Sequence, residues 1–206
     1  MTNPPRAAGA RSAAPGRKMR ADAHHNREKL FQAARSVFAE NPQGARMDEI
    51  AQRAGVGIAT LFRNFPRRID LIEALYREEI IDLQNLAEDL CKSRDPWDAL
   101  AEWLRALATF TFSKRTLFAE LSPAFERDPN FAEESYRQLH SAARTVFDRA
   151  KDAGELENEL RTADIIQLVG GISMNFTAEP TRTDYLLEII LKAIRAPGAG
   201  TANTYR

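Results

Sequence analysis

The segment from Arg46 to Arg68 constrains the fold most, because two short amphipathic stretches meet there at a glycine turn. The apolar residues of each stretch recur at the spacing of one helix face: Met47, Ile50, Ala51 and Ala54 before the turn, and Ile58, Leu61, Phe62 and Phe65 after it. Gly55 stands where the first helix must end, in the left-handed conformation that glycine adopts without strain. The pattern predicts a helix-turn-helix, whose second helix enters the major groove of DNA.

Charge is divided unevenly along the chain. Residues 1–68 contain 13 Lys and Arg against 5 Asp and Glu, a net +8, whereas residues 69–206 contain 16 against 24, a net −8. A basic N-terminal part indicates a polyanionic partner. A membrane surface would attract the same charge, but the predicted helix-turn-helix makes DNA the better interpretation, and no apolar run approaches the roughly 18 residues of a membrane span. We therefore expect DNA as the partner and no membrane association.

The rest of the chain predicts an all-α fold, since its interior is rich in Ala, Leu, Glu and Arg. A first helix starts at Asn26, and Pro66 opens a long helix at about 67–87. Further helices are expected at Trp97–Phe112, Arg115–Leu121, Asn130–Ala153, Ala163–Ala178 and Asp184–Ile194, separated by Pro123, Pro129, Gly154 and Pro180. The single cysteine, Cys91, excludes an intrachain disulfide and fits a reducing cytoplasm.

Residues 26–85 resemble the DNA-binding domain of the tetracycline-repressor (TetR) family of bacterial transcription regulators. The resemblance rests on Asn26–Leu30, Ala33-Ala34 through Phe38, Met47–Ala51, Ala54–Val56, Thr60–Phe62 and Phe65–Arg68. It implies a second helix at about 47–54, a recognition helix at about 58–64, and a C-terminal helical bundle for ligand binding and dimerisation. The expected domains are a disordered basic arm (1–23), a three-helix helix-turn-helix domain (24–85), the ligand-binding and dimerisation domain (86–196) and a frayed tail (197–206).

Several residues of the helix-turn-helix are candidates for DNA contacts. Carried over from the family, Thr60 matches a position that touches phosphate or base, and Arg68 a basic residue that binds phosphate. Phe62 stands where the family usually has Tyr, and Asn64 where it often has His. Arg63 is the expected base reader, because a guanidinium can bind guanine O6 and N7 together. The full candidate set is Arg46, Gly57, Ile58, Ala59, Thr60, Phe62, Arg63, Asn64, Arg67 and Arg68.

Three alternatives stay open in this set. Asn64 either binds adenine through two hydrogen bonds or contacts a phosphate, and the phosphate is favoured. Ile58 is either a core residue or an apolar contact to a thymine methyl group. Arg46 occupies the position that often carries a Ser or Thr helix cap, and losing that cap costs about 1 kcal/mol. Arg46 is then expected to reach a phosphate.

The C-terminal part carries two further sets of candidates. Its aromatic residues either pack the core or line a cavity for an effector, with His140 and Asn175 as polar anchors. The pocket candidates are Phe110, Leu117, Phe118, Tyr136, His140, Phe147, Met174 and Asn175. The dense apolar faces of the last two helices are either core or a four-helix dimer interface. The interface candidates are Ile165, Leu168, Val169, Ile172, Leu187, Ile190, Leu191 and Ile194.

These observations predict a ligand-responsive homodimeric regulator, a repressor, that binds a near-palindromic DNA operator and is released by a small, largely apolar effector. It is expected in the bacterial cytoplasm, on the nucleoid when bound to DNA, without a metal or cofactor. The alternatives are a helical adaptor that has lost specific DNA binding, and an enzyme on a helical scaffold. The enzyme alternative lacks support, because the sequence contains no nucleophile motif, no metal-ligand spacing and no glycine-rich phosphate loop.

Overall fold

The structure is a computed structural model that describes residues 15–41, 44–115, 117–157, 159–175 and 179–197, with backbone alone at 15–24 and 180. Within these ranges the chain forms nine α-helices and one isolated bridge, between Leu156 and Arg195. The predicted all-α fold is confirmed. The helices form two compact units that divide between Pro66 and Arg67.

The first unit contains three helices: α1 (Pro15–Glu40), α2 (Met47–Ala54) and α3 (Ile58–Asn64). The bounds of α2 and α3 agree with the sequence prediction. The disordered arm expected at 1–23 is wrong for residues 15–23, which belong to α1, and residues 1–14 lie outside the described ranges. The helix extends because proline suits a first helical position and the following Arg, Lys, Met and Ala are strong helix formers.

The turn between α2 and α3 depends on Gly55. Its backbone has φ +64° and ψ +30°, the left-handed conformation predicted for it. The Gly55 N–H donates to the Gln52 carbonyl at 3.1 Å, and the Val56 N–H to the Ala51 carbonyl at 3.0 Å. This pair of bonds is a Schellman motif, which ends α2 and directs the chain into α3.

The second unit contains six helices: α4 (Arg68–Ser93), α5 (Pro96–Lys114), α6 (Phe118–Arg127), α7 (Pro129–Asp152), α8 (Thr162–Ser173) and α9 (Pro180–Ile194). Trp103 of α5 is fully buried in its core, and its indole N–H donates to the Leu83 carbonyl of α4 at 2.9 Å. The expected domain boundary at residue 85 falls inside α4, which runs without a break to Ser93.

Several helix bounds of the second unit differ from the prediction. The break expected at Pro123 is wrong, because Pro123 lies inside α6, where Leu121 and Ala124 are buried and hold the helix on the core. Pro123 has no backbone N–H to donate to the Ala119 carbonyl, and Ala119 is exposed. The helix expected at Ala163–Ala178 ends at Ser173, and 176–178 lie outside the described ranges. α9 begins at Pro180, one turn earlier than expected, since proline suits a first helical turn.

Gly170 and Gly171 lie inside α8. A side-chain carbon added at either position would meet no atom of the described chain within 4 Å. No residue of another described helix therefore packs closely against these two glycines. Their surface is open to an approaching helix.

Candidate nucleic-acid interface

The inner side of α3 fixes the recognition helix in the first unit. Leu61 is fully buried and Phe65 is 4% exposed, as expected for core residues. The Phe65 ring lies 6.0 Å from the Phe31 ring of α1. The Arg27 guanidinium covers both rings, 4.9 Å from the Phe31 centroid and 5.7 Å from the Phe65 centroid. These contacts anchor α3 through one row of side chains.

The outer side of α3 carries the predicted DNA-contacting residues. Ile58 and Phe62 are 42% and 45% exposed, and Ala59 is exposed beside them. The prediction that Ile58, Leu61, Phe62 and Phe65 share one buried face is therefore wrong for Ile58 and Phe62. A helix of seven residues presents only one i,i+4 row, Leu61 and Phe65, to α1 and α2. The alternative of Ile58 as core is excluded.

The polar side chains of α3 are organised around Thr60. The Arg63 guanidinium donates to the Thr60 hydroxyl at 2.7 Å, with Thr60 half-buried and Arg63 exposed. The Asn64 amide donates to the Thr60 backbone carbonyl at 2.7 Å. Thr60 thus holds Arg63 against the helix, which leaves the remaining N–H donors of a planar fork for a ligand.

Arg53 positions α2 on α1. Its guanidinium donates to the Ser36 hydroxyl at 2.9 Å, to the Glu40 carboxylate at 2.5 Å and to the Glu49 carboxylate at 3.1 Å. The hydrogen bonds from Arg53 and then Ser36 lower the pKa of Glu40. This network joins both helices at the surface, and sequence reasoning missed it, since Arg53 carried no motif signal.

Two of the arginines predicted to contact DNA are paired with neighbouring carboxylates. Arg46 donates to Asp48 at 2.7 and 3.0 Å, and this bond lowers the pKa of Asp48. Arg46 makes no side-chain cap on α2, as expected. In the second unit, Asp70 accepts from the Arg67 backbone N–H at 2.9 Å and from its guanidinium at 3.1 Å. Both guanidinium groups therefore lie beside a negative charge.

Arg68 is paired with a residue far along the chain. Its guanidinium donates to both carboxylate oxygens of Glu120 at 3.0 Å, which joins the start of α4 to α6. The two side chains are 24% and 35% exposed. Sequence reasoning missed Glu120, because no local pattern connects it with Arg68. The predicted phosphate contact of Arg68 thus competes with an intramolecular carboxylate.

This competition predicts opposite effects for two substitutions. Arg68→Ala should weaken binding to every DNA sequence about equally and reduce the salt dependence, as the slope of log K against log[salt], by about one. Glu120→Gln should strengthen binding to every sequence, because it removes the competing charge and keeps a hydrogen-bond acceptor. Fluorescence anisotropy with a labelled duplex measures both. If both substitutions change the free energy of unfolding but leave DNA affinity unaltered, Arg68 only joins the two helices.

The eight predicted pocket residues differ in their burial. Tyr136 and His140 line an open cavity of about 730 Å³ along α7. The others scatter: Leu117 and Phe147 are buried, Phe110 and Met174 half-buried, and Phe118 and Asn175 exposed. Spacing along a sequence does not reveal which aromatic residues converge.

A different set of rings does converge in the second unit. We call Tyr76, Phe110, Phe125 and Phe131 the ring cluster. The Tyr76 ring lies 5.5 Å from Phe110, 5.5 Å from Phe125 and 5.9 Å from Phe131. Burial, and then the negative charge of Glu79, raise the pKa of Tyr76 to about 12, so its phenol stays neutral. Of this cluster, the sequence prediction included only Phe110.

A buried ion pair lies beside the ring cluster. Lys114 of α5 pairs with Glu79 of α4, and their side chains are 11% and 14% exposed. The Lys114 ammonium also lies 5.8 Å from the Phe110 ring centroid. A charged pair removed from water needs such partners, and it places two polar groups next to an apolar cluster.

The predicted dimer residues divide between core and surface. Five of the eight are 0–3% exposed inside the single chain: Ile165, Val169, Leu187, Leu191 and Ile194. For these five the core alternative holds, because their own chain already covers them. Ile172 and Ile190 are half-buried, and Leu168 is 48% exposed. The structure adds Tyr185 and Ile189 of α9, 55% and 46% exposed, which the prediction omitted.

An N-terminal helix-turn-helix unit, followed by a larger helical unit, defines a DNA-binding transcriptional regulator. Residues 30–75 match the family described as bacterial regulatory proteins, tetR family, and residues 95–196 match the C-terminal domain of SbtR-like transcriptional regulators. The chain belongs to the TetR family of transcriptional regulators, which bind DNA operators, form dimers and are not enzymes.

Individual relatives agree with this assignment. The crystal structure of the TetR regulator SCO0520 from Streptomyces coelicolor has 32% sequence identity and a TM-score of 0.73, and the similarity covers 84% of this chain and 99% of that one. The regulator UidR of Escherichia coli strain K12 is 26% identical over 175 residues, 78% of this chain and 86% of UidR. The repressor LfrR of Mycolicibacterium smegmatis is 35% identical over 109 residues, 52% of this chain and 55% of LfrR. Among the described helices, none has both the length and the apolar character needed to cross a membrane.

Proposed function

We propose that this protein is a homodimeric repressor that binds a near-palindromic operator through α3 and is released by a small, largely apolar effector. The observation that carries the proposal is the exposure of Arg63 on the recognition helix. This residue is exposed on the outer side of α3 and bonded to a hydroxyl, whereas Arg46, Arg67 and Arg68 are each paired with a carboxylate. Arg63 therefore reads guanine, and the phosphate contacts of the other three arginines compete with these carboxylates.

The remaining α3 candidates have supporting roles. Thr60 holds Arg63, and Asn64, whose amide is bonded to its own helix, contacts a phosphate through bound water rather than reading a base. Gly57 and Ala59 add no bulk and let the start of α3 approach the base edges. The repressor assignment is supported by the similarity to LfrR, which is named a repressor. The protein acts in the bacterial cytoplasm, on the nucleoid when bound to its operator.

The dimer forms through the exposed sides of α8 and α9. Leu168, Tyr185 and Ile189 are large apolar residues that are about half exposed there, and Gly171 leaves open space beside them. Exposed apolar residues clustered on two neighbouring helices are typical of an interface between subunits. The half-buried Ile172 follows Leu168 by four residues and shares its face of α8, and Ile190 of α9 is half-buried as well. A symmetric pair of α8 and α9 then matches the two-fold symmetry of a palindromic operator.

The effector binds at the ring cluster. Ligand pockets in proteins combine aromatic walls with a few polar groups. Tyr76, Phe110 and their neighbours supply the walls, and the Lys114–Glu79 pair supplies the polar groups. Because the rings fill the space, an effector displaces them and favours a conformation with lower DNA affinity. Such coupling is worth about 1–3 kcal/mol.

Selection from a randomised pool of double-stranded DNA tests the proposal, and light scattering gives the oligomeric state. We expect enrichment of an inverted repeat, and the duplex that carries it is the selected duplex. Leu168→Asp should raise the dimer dissociation constant roughly tenfold or more, because a carboxylate is costly in an apolar interface. It should also weaken binding to the inverted repeat. Ile81→Asp is the matched control, since Ile81 is 42% exposed on α4, outside the two helices of the proposed interface, and should leave the dimer intact.

A monomer at micromolar concentration, or a dimer equally stable with both substitutions, would contradict the proposed interface. Enrichment of a sequence without two-fold symmetry would contradict the proposal that a symmetric dimer binds the operator.

A further inference from the structure

The outer side of α3 is apolar where polar contacts to DNA would be expected. Ile58 and Phe62, the exposed apolar pair, are 42% and 45% exposed and stand one helical turn apart. Residues four positions apart share a helix face. Among the described residues of the first unit, no other large apolar side chain is as exposed. Neither side chain can donate a hydrogen bond to a phosphate, so any partner that covers them contacts them through apolar groups.

Charge identifies the molecule that covers this pair. The N-terminal 68 residues carry a net +8, and Arg63 is exposed on the same short helix. A protein or membrane partner that buries an apolar pair would have to accommodate this charge as well, whereas DNA matches it. The apolar feature that the major groove offers is the C5-methyl group of thymine.

We infer that Ile58 and Phe62 determine operator specificity by contacting thymine methyl groups. The inference rests on the proposed function and adds the base chemistry of the half-site. The side chains of residues four apart are separated by about 5–6 Å, and successive bases of one strand by about 3.4 Å. The pair therefore fits two thymines one or two base-pair steps apart, near the guanine that Arg63 reads.

Deoxyuridine tests this directly, because it differs from thymidine only by the missing methyl group. We replace each thymidine of the selected duplex in turn by deoxyuridine and measure affinity by fluorescence anisotropy. Deoxyuridine at each contacted position should lower affinity about threefold to fourfold, the value of one buried methyl-sized group. At all other positions it should have no effect.

Protein variants assign each methyl group to its side chain. In Ile58→Ala and Phe62→Ala, the deoxyuridine penalty should vanish at the position that the missing side chain contacted and persist at the other. Phe62→Tyr keeps the ring and should keep the penalty. Both alanine variants should retain the helical circular dichroism and melting temperature of the natural protein, since the replaced side chains are exposed.

Two outcomes overturn the inference alone: deoxyuridine without effect at every position of a tightly bound selected duplex, or a penalty that persists in both alanine variants. A selection that enriches no sequence overturns the proposed function and this inference with it. The two failures are therefore distinguishable.

Discussion

Arg63→Ala should lower affinity for the selected duplex by about 1–3 kcal/mol, or roughly 5- to 150-fold, and leave affinity for a scrambled duplex almost unchanged. The reason is that a bidentate contact to guanine carries sequence information, whereas a contact to phosphate does not. Arg63 is exposed and, among the described residues, hydrogen-bonds within α3, so its removal leaves the Leu61 and Phe65 row in place. Anisotropy titrations with both duplexes measure the two affinities.

Two control variants separate charge from base reading. Arg63→Lys keeps the charge and loses the planar fork, so it should lose most of the preference for the selected duplex. Arg144→Ala removes a similarly exposed arginine from α7 and should alter neither affinity. An equal loss on the selected and scrambled duplexes with Arg63→Ala would show that Arg63 contacts phosphate instead.

Trp103→Ala should lower the free energy of unfolding by about 3–5 kcal/mol, because it opens a cavity in the centre of the second unit. Trp103 is fully buried, and its loss also leaves the Leu83 carbonyl without its indole donor. Urea unfolding followed by circular dichroism measures the change.

The other tryptophan provides the control. Trp97 lies at the start of the same helix, is half-buried, and contacts Arg195 at 4.7 Å from its ring centroid. Trp97→Ala should lower the free energy of unfolding by clearly less than Trp103→Ala, since part of the Trp97 surface already faces solvent. Equal losses for the two variants would contradict the central position of Trp103.

The helix-turn-helix was predictable because its signals are local. Gly55 marks the end of α2 through a conformation that other residues avoid, and the apolar spacing on either side gives the helix bounds. Side-chain burial was less predictable. Periodicity placed Ile58 and Phe62 on the same face as Leu61, and only the packing of α1 and α2 shows which row is covered.

The candidate sites of the second unit depend on contacts between distant residues. The pairing of Arg68 with Glu120 joins positions 52 residues apart, and the ring cluster draws on four helices. The dense apolar faces of α8 and α9 were visible in the sequence. Their division into core and surface was not, because one helix can bury several rows when it packs on two neighbours.

The central claim is that the protein recognises a particular DNA sequence, and its affinity for the selected duplex relative to a scrambled duplex tests it most directly. Measured at physiological salt, the ratio should be at least about 10³, the lower end for specific regulators. Affinity for the scrambled duplex should fall steeply with added salt, since phosphate contacts dominate there. A ratio near one at every salt concentration would contradict the claim.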